Sequence, residues 1–132
     1  MRCGAGSIVA VLAAALAGCG GEAPSDAGKT RVAAVFATPI EEPWDGCIHQ
    51  ALLRAKRELG VHYEWAESVA NPDFERVVRE FAGRGFDLVM GDAFGSEEAV
   101  RRAAKDSPKT AFLFGSGLKP QAPNFSVFDN WI

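Results

Sequence analysis

The sequence is poor in cysteine and has no long hydrophobic run. Its 132 residues include three cysteines, at positions 3, 19 and 47. The apolar run at residues 8–16 spans nine residues, about half of the roughly 18 to 20 that cross a bilayer. These features exclude a disulfide-rich scaffold and a polytopic membrane protein.

The sequence also has no basic cluster and no catalytic signature. Fourteen Lys and Arg face 17 Asp and Glu, giving a net charge of −3, so we expect no nucleic-acid partner. Nucleophile-elbow, HExxH, CxxC and Walker motifs are absent. His49 and His62 have no ligand-like spacing to Cys47. We therefore predict neither an enzyme nor a metal or other cofactor.

Cys47 has two interpretations. It lies near a predicted helix start, a position that lowers thiol pKa values and could make it reactive. We interpret it instead as a small packed residue. An exported α/β enzyme whose catalytic groups lie elsewhere stays as an alternative.

The first 18 residues are typical of a secretory signal. Arg2 precedes the apolar run, which ends in residues 16–19, Leu-Ala-Gly-Cys. This string looks like a bacterial lipobox, and Cys19 is then the lipidated residue. A buried apolar helix that ends in cysteine is the alternative. Residues 19–30 are small, polar and turn-forming, as in a flexible tether.

From residue 31 onward, apolar runs alternate with helical patterns. With 48% apolar and 23% charged residues, this part can bury a core. Strands are predicted to start near residues 32, 62, 87 and 110, with a fifth at residues 125–128, and the strand near 62 alternates as an edge strand does. This rhythm predicts an α/β fold with a parallel sheet flanked by helices.

Side-chain periodicity sets the predicted helices. The first opens at Trp44 or Asp45 and closes at Gly60, with a stripe of Ile48, Ala51, Leu52, Ala55 and Leu59. The second has Asn71 as its cap, Pro72 in its first position and a stripe of Phe74, Val77, Val78 and Phe81. Ser96 caps the third.

Two loops at predicted strand ends carry aromatic and acidic side chains. Residues 38–45 contain Glu42, Trp44 and Asp45, and residues 91–95 contain Asp92 and Phe94. Carboxyl ends of parallel strands form the binding edge of such sheets. Carboxylates beside aromatic rings suit a flat, neutral or weakly cationic ligand that donates hydrogen bonds, and they disfavour phosphorylated ligands.

Each of these residues has a structural alternative. Trp44 could be a hydrophobic staple at a helix start. Phe94 could cap the core while Asp92 bonds its own turn. Residues 115–117 (GSG) are interpreted as a turn, because no helix follows to bind an anion.

Six further segments follow the lipobox in order. They are residues 29–36 (KTRVAAVF), 43–46 (PWDG), 59–60 (LG), 73–77 (DFERV), 85–89 (GFDLV) and 108–112 (PKTAF). This ordered set, across residues 31–132, resembles the basic membrane protein family. These are purine-nucleoside-type lipoproteins that serve ABC importers as substrate-binding subunits.

The resemblance implies the amino-terminal, Rossmann-like lobe of a type I periplasmic binding protein, with the second lobe missing from this chain. It places Trp44 where the family has an aromatic residue that stacks on the base, with Glu42 and Asp45 in the same motif. Phe94 matches a second family aromatic. Where family members often carry an aspartate after strand four, this chain has Gly115 and Ser116.

The resemblance also implies the protein's partners and location. The expected ligand is nucleoside-like, and the expected partners are an ABC permease and its ATPase. The expected location is the bacterial membrane, with the protein lipid-anchored and facing the periplasm or the exterior. Because a single lobe gives the ligand cleft one wall, we expect weak binding by this lobe alone. A cell-surface sensor built on the same lobe is the alternative function.

Overall fold

The computed structural model describes residues 26–129, which form five strands and three helices. The strands are β1 (Arg31–Val35), β2 (His62–Ala66), β3 (Leu88–Asp92), β4 (Ala111–Gly115) and β5 (Phe125–Phe128). The helices are α1 (Pro43–Leu59), α2 (Asn71–Gly83) and α3 (Glu97–Asp106). The predicted elements are all present, with strand ends shifted by one or two residues.

The strands form one sheet in the order β2-β1-β3-β4-β5. Every neighbouring pair is parallel, which confirms the predicted α/β fold. β2 lies at an edge, as its alternating pattern predicted. The strand order reverses direction between β1 and β3, and this is where ligands bind in sheets of this type.

Helices cover the two faces of the sheet separately. Helix α1 packs on the face that carries Val32, Ala34 and Phe36. Helices α2 and α3 pack on the opposite face, against Ala33 and Val35. Because β1 is covered on both faces, its sequence is an almost continuous apolar run.

Two predicted helix caps differ in detail. Ala70, and not Asn71, is the N-cap of α2, so the prediction for Asn71 was wrong. Ser96 does precede α3, but it makes no side-chain capping bond. The two side chains bond each other instead, with Ser96 Oγ donating to Asn71 Oδ1 over 3.0 Å.

The exposed side of α1 also departs from prediction. Ile48 and Leu52 are buried as expected, but Leu59 is 77% exposed. Ala51 and Cys47 are exposed as well, so the interpretation of Cys47 as a packed residue was wrong. Both border an open apolar groove of about 270 Å³, called here the α1 groove, with Trp44, Ile48, Leu52, Met90 and Phe128 along its other sides.

An ion pair fixes the segment between β4 and β5. Both carboxylate oxygens of Glu97 accept from the Leu118 N–H at 3.1 Å. Arg101 pairs with Glu97 and lies 4.6 Å from the centre of the Phe125 ring. Burial alone would raise the pKa of Glu97, but the Arg101 guanidinium and the Leu118 N–H outweigh it and hold that pKa below its usual range.

The predicted signal, the lipobox and most of the tether lie outside the described residues. Between residues 26 and 129, the structure contains no helix that is both long and apolar enough to span a bilayer.

Candidate functional site

A cavity of about 330 Å³ lies at the carboxyl ends of β1 and β3, where the strand order reverses. The chain segment after β1 contributes most of its lining, and the segment after β3 contributes the rest. Its lining residues are Ala37, Thr38, Glu42, Pro43, Trp44, Asp45, Asp92 and Phe94. The structure therefore brings together all five of the predicted binding residues.

Asp45 is the most deeply buried of these residues, with 2% of its surface exposed. Its Oδ2 accepts two bonds from Thr38, one from the hydroxyl at 2.5 Å and one from the backbone N–H at 3.3 Å. Its Oδ1 is buried without a hydrogen-bond partner among the described residues. Such an oxygen is costly to leave unpaired, so it is a candidate acceptor for a ligand or a bound water.

The surroundings of Asp45 favour its neutral form. Burial raises the pKa of Asp45 above its ordinary value, and the nearby carboxylates of Asp92 and Glu42 add to that shift, while the two bonds from Thr38 oppose it. Between the ordinary and the raised pKa, the folded protein therefore holds a proton that the unfolded chain releases.

We predict that Asp45→Asn flattens the pH dependence of stability. Between the ordinary aspartate pKa and the raised one, Asp45 is ionised in the unfolded chain but still protonated in the folded protein. The free energy of unfolding of the parent therefore falls as pH rises through this window. The asparagine cannot ionise, so the parent should lose stability relative to the variant across this window. Urea unfolding at several pH values measures the difference.

Two comparisons sharpen this test. Glu97 has a lowered pKa and contributes the opposite slope, so the quantity of interest is the parent-minus-variant difference. Thr38→Val removes the hydroxyl that donates to Asp45. Its loss should raise the pKa of Asp45 further and increase the loss of stability with rising pH. A difference that stays flat with pH would contradict the assignment to Asp45.

Trp44 forms the wall on one side of the cavity. The indole is half-buried, and its Nε1 is buried without a hydrogen-bond partner among the described residues. The ring packs against Phe128, with centroids 6.0 Å apart and planes inclined by 38°. Trp44 therefore contributes its ring to the lining, and its N–H is, like Asp45 Oδ1, a buried polar group without a partner among the described residues.

Asp92 and Phe94 come from the turn after β3. Asp92 Oδ1 accepts from the Phe94 N–H at 3.1 Å, so Asp92 does bond its own turn while it lines the cavity. Phe94 is 78% exposed, which excludes the alternative that it caps the core. It lines the cavity from the segment after β3, whereas Trp44 lines it from the segment after β1.

The lining defines what this cavity can bind. Glu42, Asp45 and Asp92 supply carboxylates, and none of the described lining residues is basic. A ligand that donates hydrogen bonds and has a flat apolar face matches this lining, whereas a phosphate would face three acidic groups. In the described part of the chain, no cluster of three or more His, Cys, Asp or Glu is arranged to hold a metal.

A larger cavity at the same edge is less suited to this role. It measures about 520 Å³ and lies between the starts of α2 and α3, where Asn71 and Ser96 line it. The side chains of these two residues already bond each other. Ser96 Oγ and Asn71 Oδ1 therefore have a partner without a ligand.

Three contributors to the site were missed at the level of sequence. Thr38 orients Asp45, and its position in the segment just after β1 was a usable signal. Gly115 and Phe128 pack against Trp44, and only the sheet order reveals that contact. Tyr63 and His49, whose side chains bond over 2.9 Å, are buried and are not among the residues that line the cavity.

The parallel α/β sheet with a cavity at its switch point is consistent with one lobe of a two-lobed binding protein. A family model described as ABC transporter substrate-binding protein PnrA-like (Bmp) matches residues 29–130. The chain belongs to this family, as its ordered segments predicted.

Relatives with longer chains support the same class. A Haloferax volcanii protein whose name describes it as an ABC transporter glucose-binding protein, TsgA13, is 27% identical over 104 residues, covering 75% of this chain and 26% of its own length. A Conexibacter woesei solute-binding protein of an ABC transporter system has 28% identity and a TM-score of 0.61, covering 67% of this chain and 30% of that one.

A third protein shows the fold alone. The solute-binding protein of Aeropyrum pernix has 18% identity and a TM-score of 0.64, over 75% of this chain and 27% of that one. The present chain thus spans between a quarter and a third of the length of these relatives.

Proposed function

We propose that this chain is the amino-terminal ligand-binding lobe of a substrate-binding protein for an ABC importer. In this proposal it binds a nucleoside-like solute and delivers it to a membrane permease powered by an ATPase. Residues 31–132 form the lobe, and a second lobe closes over the ligand. The carrying observation is the acidic cavity at the switch point with Trp44 as its wall.

The geometry supports a ligand that combines a ring with hydroxyl or amino groups. The Trp44 face supplies a surface for stacking, and the unpaired Oδ1 of Asp45 supplies an acceptor. A nucleoside meets both requirements through its base and its ribose. A nucleotide does not, because its phosphate would lie among the carboxylates.

A hexose is the second candidate. One relative carries a glucose-binding name, and a sugar ring also presents a flat apolar face and several hydroxyl donors. The cavity lining suits both classes, so a direct comparison of ligands is required.

Calorimetric titration of the full 132-residue chain with matched solutes tests this function. The panel comprises adenosine, guanosine, uridine and D-glucose, with adenosine monophosphate as the anionic control. We expect a nucleoside to bind weakly, because this lobe supplies one wall of the cleft, and its monophosphate to bind at least about tenfold more weakly still, since a like charge in the site costs more than 1 kcal/mol. Binding of glucose in preference to every nucleoside would support the hexose instead, and tighter binding of the monophosphate would contradict the acidic site.

We also propose that residues 1–18 are a signal peptide, that Cys19 is lipidated and that residues 19–30 form the tether. The support is the Leu-Ala-Gly-Cys string after an apolar run. Two acyl chains at Cys19 would anchor the protein at about 0.8 kcal/mol per buried methylene.

We predict that Cys19→Ala releases the protein from bacterial membranes. Membrane fractionation and intact-mass measurement of the expressed chain check this result. Cys47→Ala is the matched control, because it removes an exposed thiol without touching the lipobox. A Cys19→Ala protein that stays in the membrane fraction would contradict the anchor.

A further inference from the structure

The end of β4 lies directly beneath the Trp44 ring. Gly115 is the last residue of β4 and is buried. A methyl group built on it would lie 3.1 Å from Trp44 Cζ2 and 3.2 Å from Cε2 and Cζ of Phe128. The two rings therefore rest against a backbone that has no side chain.

The Trp44 ring also separates two open spaces. It lines the ligand cavity on one side and the α1 groove on the other. Phe128, the last residue of β5, lies in contact range of the same ring. With its Nε1 unpaired among the described residues, the ring is held by packing alone.

We propose that Gly115 and Phe128 are positioning residues that fix the Trp44 ring as the wall of the ligand cavity. Gly115 allows the ring to lie close over the end of the sheet, and Phe128 supports its edge from the groove side. This inference rests on the proposed function for its effect on binding. Its effect on the ring itself is independent of any ligand.

Gly115→Ala is the direct test. The added methyl meets both rings at distances below ordinary van der Waals contact, so the rings must give by a few tenths of an ångström, and we expect the Trp44 ring to tilt. Gly83→Ala is the matched control, because a methyl at Gly83 meets nothing within 4 Å. Gly83 lies at the end of α2, away from the cavity.

The ring can be observed by fluorescence without a ligand. The chain has three tryptophans, so Trp65→Phe and Trp131→Phe leave Trp44 as the reporter. We expect Gly115→Ala to shift its emission to the red and to raise its acrylamide quenching constant by about twofold, while Gly83→Ala leaves both unchanged. Identical spectra for Gly115→Ala and the parent would overturn the proposal.

A second variant covers the case in which Gly115→Ala does not fold. Phe128→Leu removes the supporting ring and leaves β4 intact, and we expect the same red shift and increased quenching. The double variant Gly115→Ala/Phe128→Leu gives the methyl more room, so its quenching should move back toward the parent value. Unchanged quenching in Phe128→Leu would remove Phe128 from the proposal.

Adenosine titration of the same variants connects the ring position to binding. We expect Gly115→Ala to weaken adenosine binding about five- to tenfold, a part of the contribution of a base-stacking ring. If the parent binds no adenosine, the nucleoside proposal fails while the fluorescence result still decides the positioning. If adenosine binding is unchanged although the ring has moved, positioning of the ligand by this ring is refuted.

Discussion

Replacement of Gly91 by alanine should destabilise the lobe by on the order of 4 kcal/mol. Gly91 lies in β3 beside Val35 of β1. A methyl group at this position would lie 1.9 Å from the Val35 carbonyl oxygen, and the backbone φ of 152° is one that residues with a side chain rarely adopt. Both strands must therefore move apart at the centre of the sheet.

Gly60→Ala is the matched control for this prediction. Gly60 ends α1 with φ at 71°, and a methyl there meets nothing within 4 Å. Its replacement costs backbone strain alone, about 1 to 2 kcal/mol. Urea unfolding followed by circular dichroism measures both variants. A Gly91→Ala protein as stable as Gly60→Ala would show that β1 and β3 tolerate the side chain.

Trp44→Ala should weaken ligand binding by about 1 to 3 kcal/mol, a loss of roughly 5- to 150-fold in affinity. The variant removes the stacking face from the cavity and also opens the cavity toward the α1 groove, since Trp44 lines both. Calorimetric titration with adenosine and with D-glucose measures the loss for each candidate ligand.

Two variants control this experiment. Trp44→Phe keeps an aromatic face and should retain most of the affinity. Trp65→Ala removes a tryptophan that is 41% exposed on the edge strand β2 and should leave the affinity unchanged. If Trp44→Ala binds as tightly as the parent while its circular dichroism is native, Trp44 does not stack on the ligand.

Much of the fold follows from local sequence because few alternatives bury the same residues. The run at residues 32–36 is apolar at every position and is followed by a helical pattern, which is typical of a strand covered on both faces. Phe74, Val77, Val78 and Phe81 were predicted as the buried stripe of α2; three of them are buried, and Val77 is partly buried. Here periodicity and burial agree.

Predictions were wrong where tertiary contacts or the end of an element determine a residue's surroundings. Asn71 has the side chain of a good cap, but its oxygen accepts from Ser96, which lies at the start of another helix. Leu59 has the correct helical phase, yet it lies at the end of α1 and is exposed. Cys47 faces a groove that periodicity cannot reveal, because the groove depends on β3 and β5.

Some contacts of the candidate site could also be predicted from local sequence, and others could not. Asp45 and Asp92 could be placed together from sequence, because the ends of parallel strands meet at one edge. The contacts of Gly115 and Phe128 with Trp44 could not be predicted from sequence, because they depend on where β4 and β5 lie relative to α1. A glycine in a predicted turn gives no sign that a ring lies above it.

The acidic lining of the cavity selects against negatively charged ligands as well as against ligands of the wrong shape. Its carboxylates repel an anionic solute before contact, over a Debye length of about 8 Å at physiological ionic strength. For the proposed nucleoside-like solute, such a cavity would disfavour the phosphate ester relative to the neutral solute. Its selectivity would therefore weaken in concentrated brine, where the surrounding ions shield the entrance.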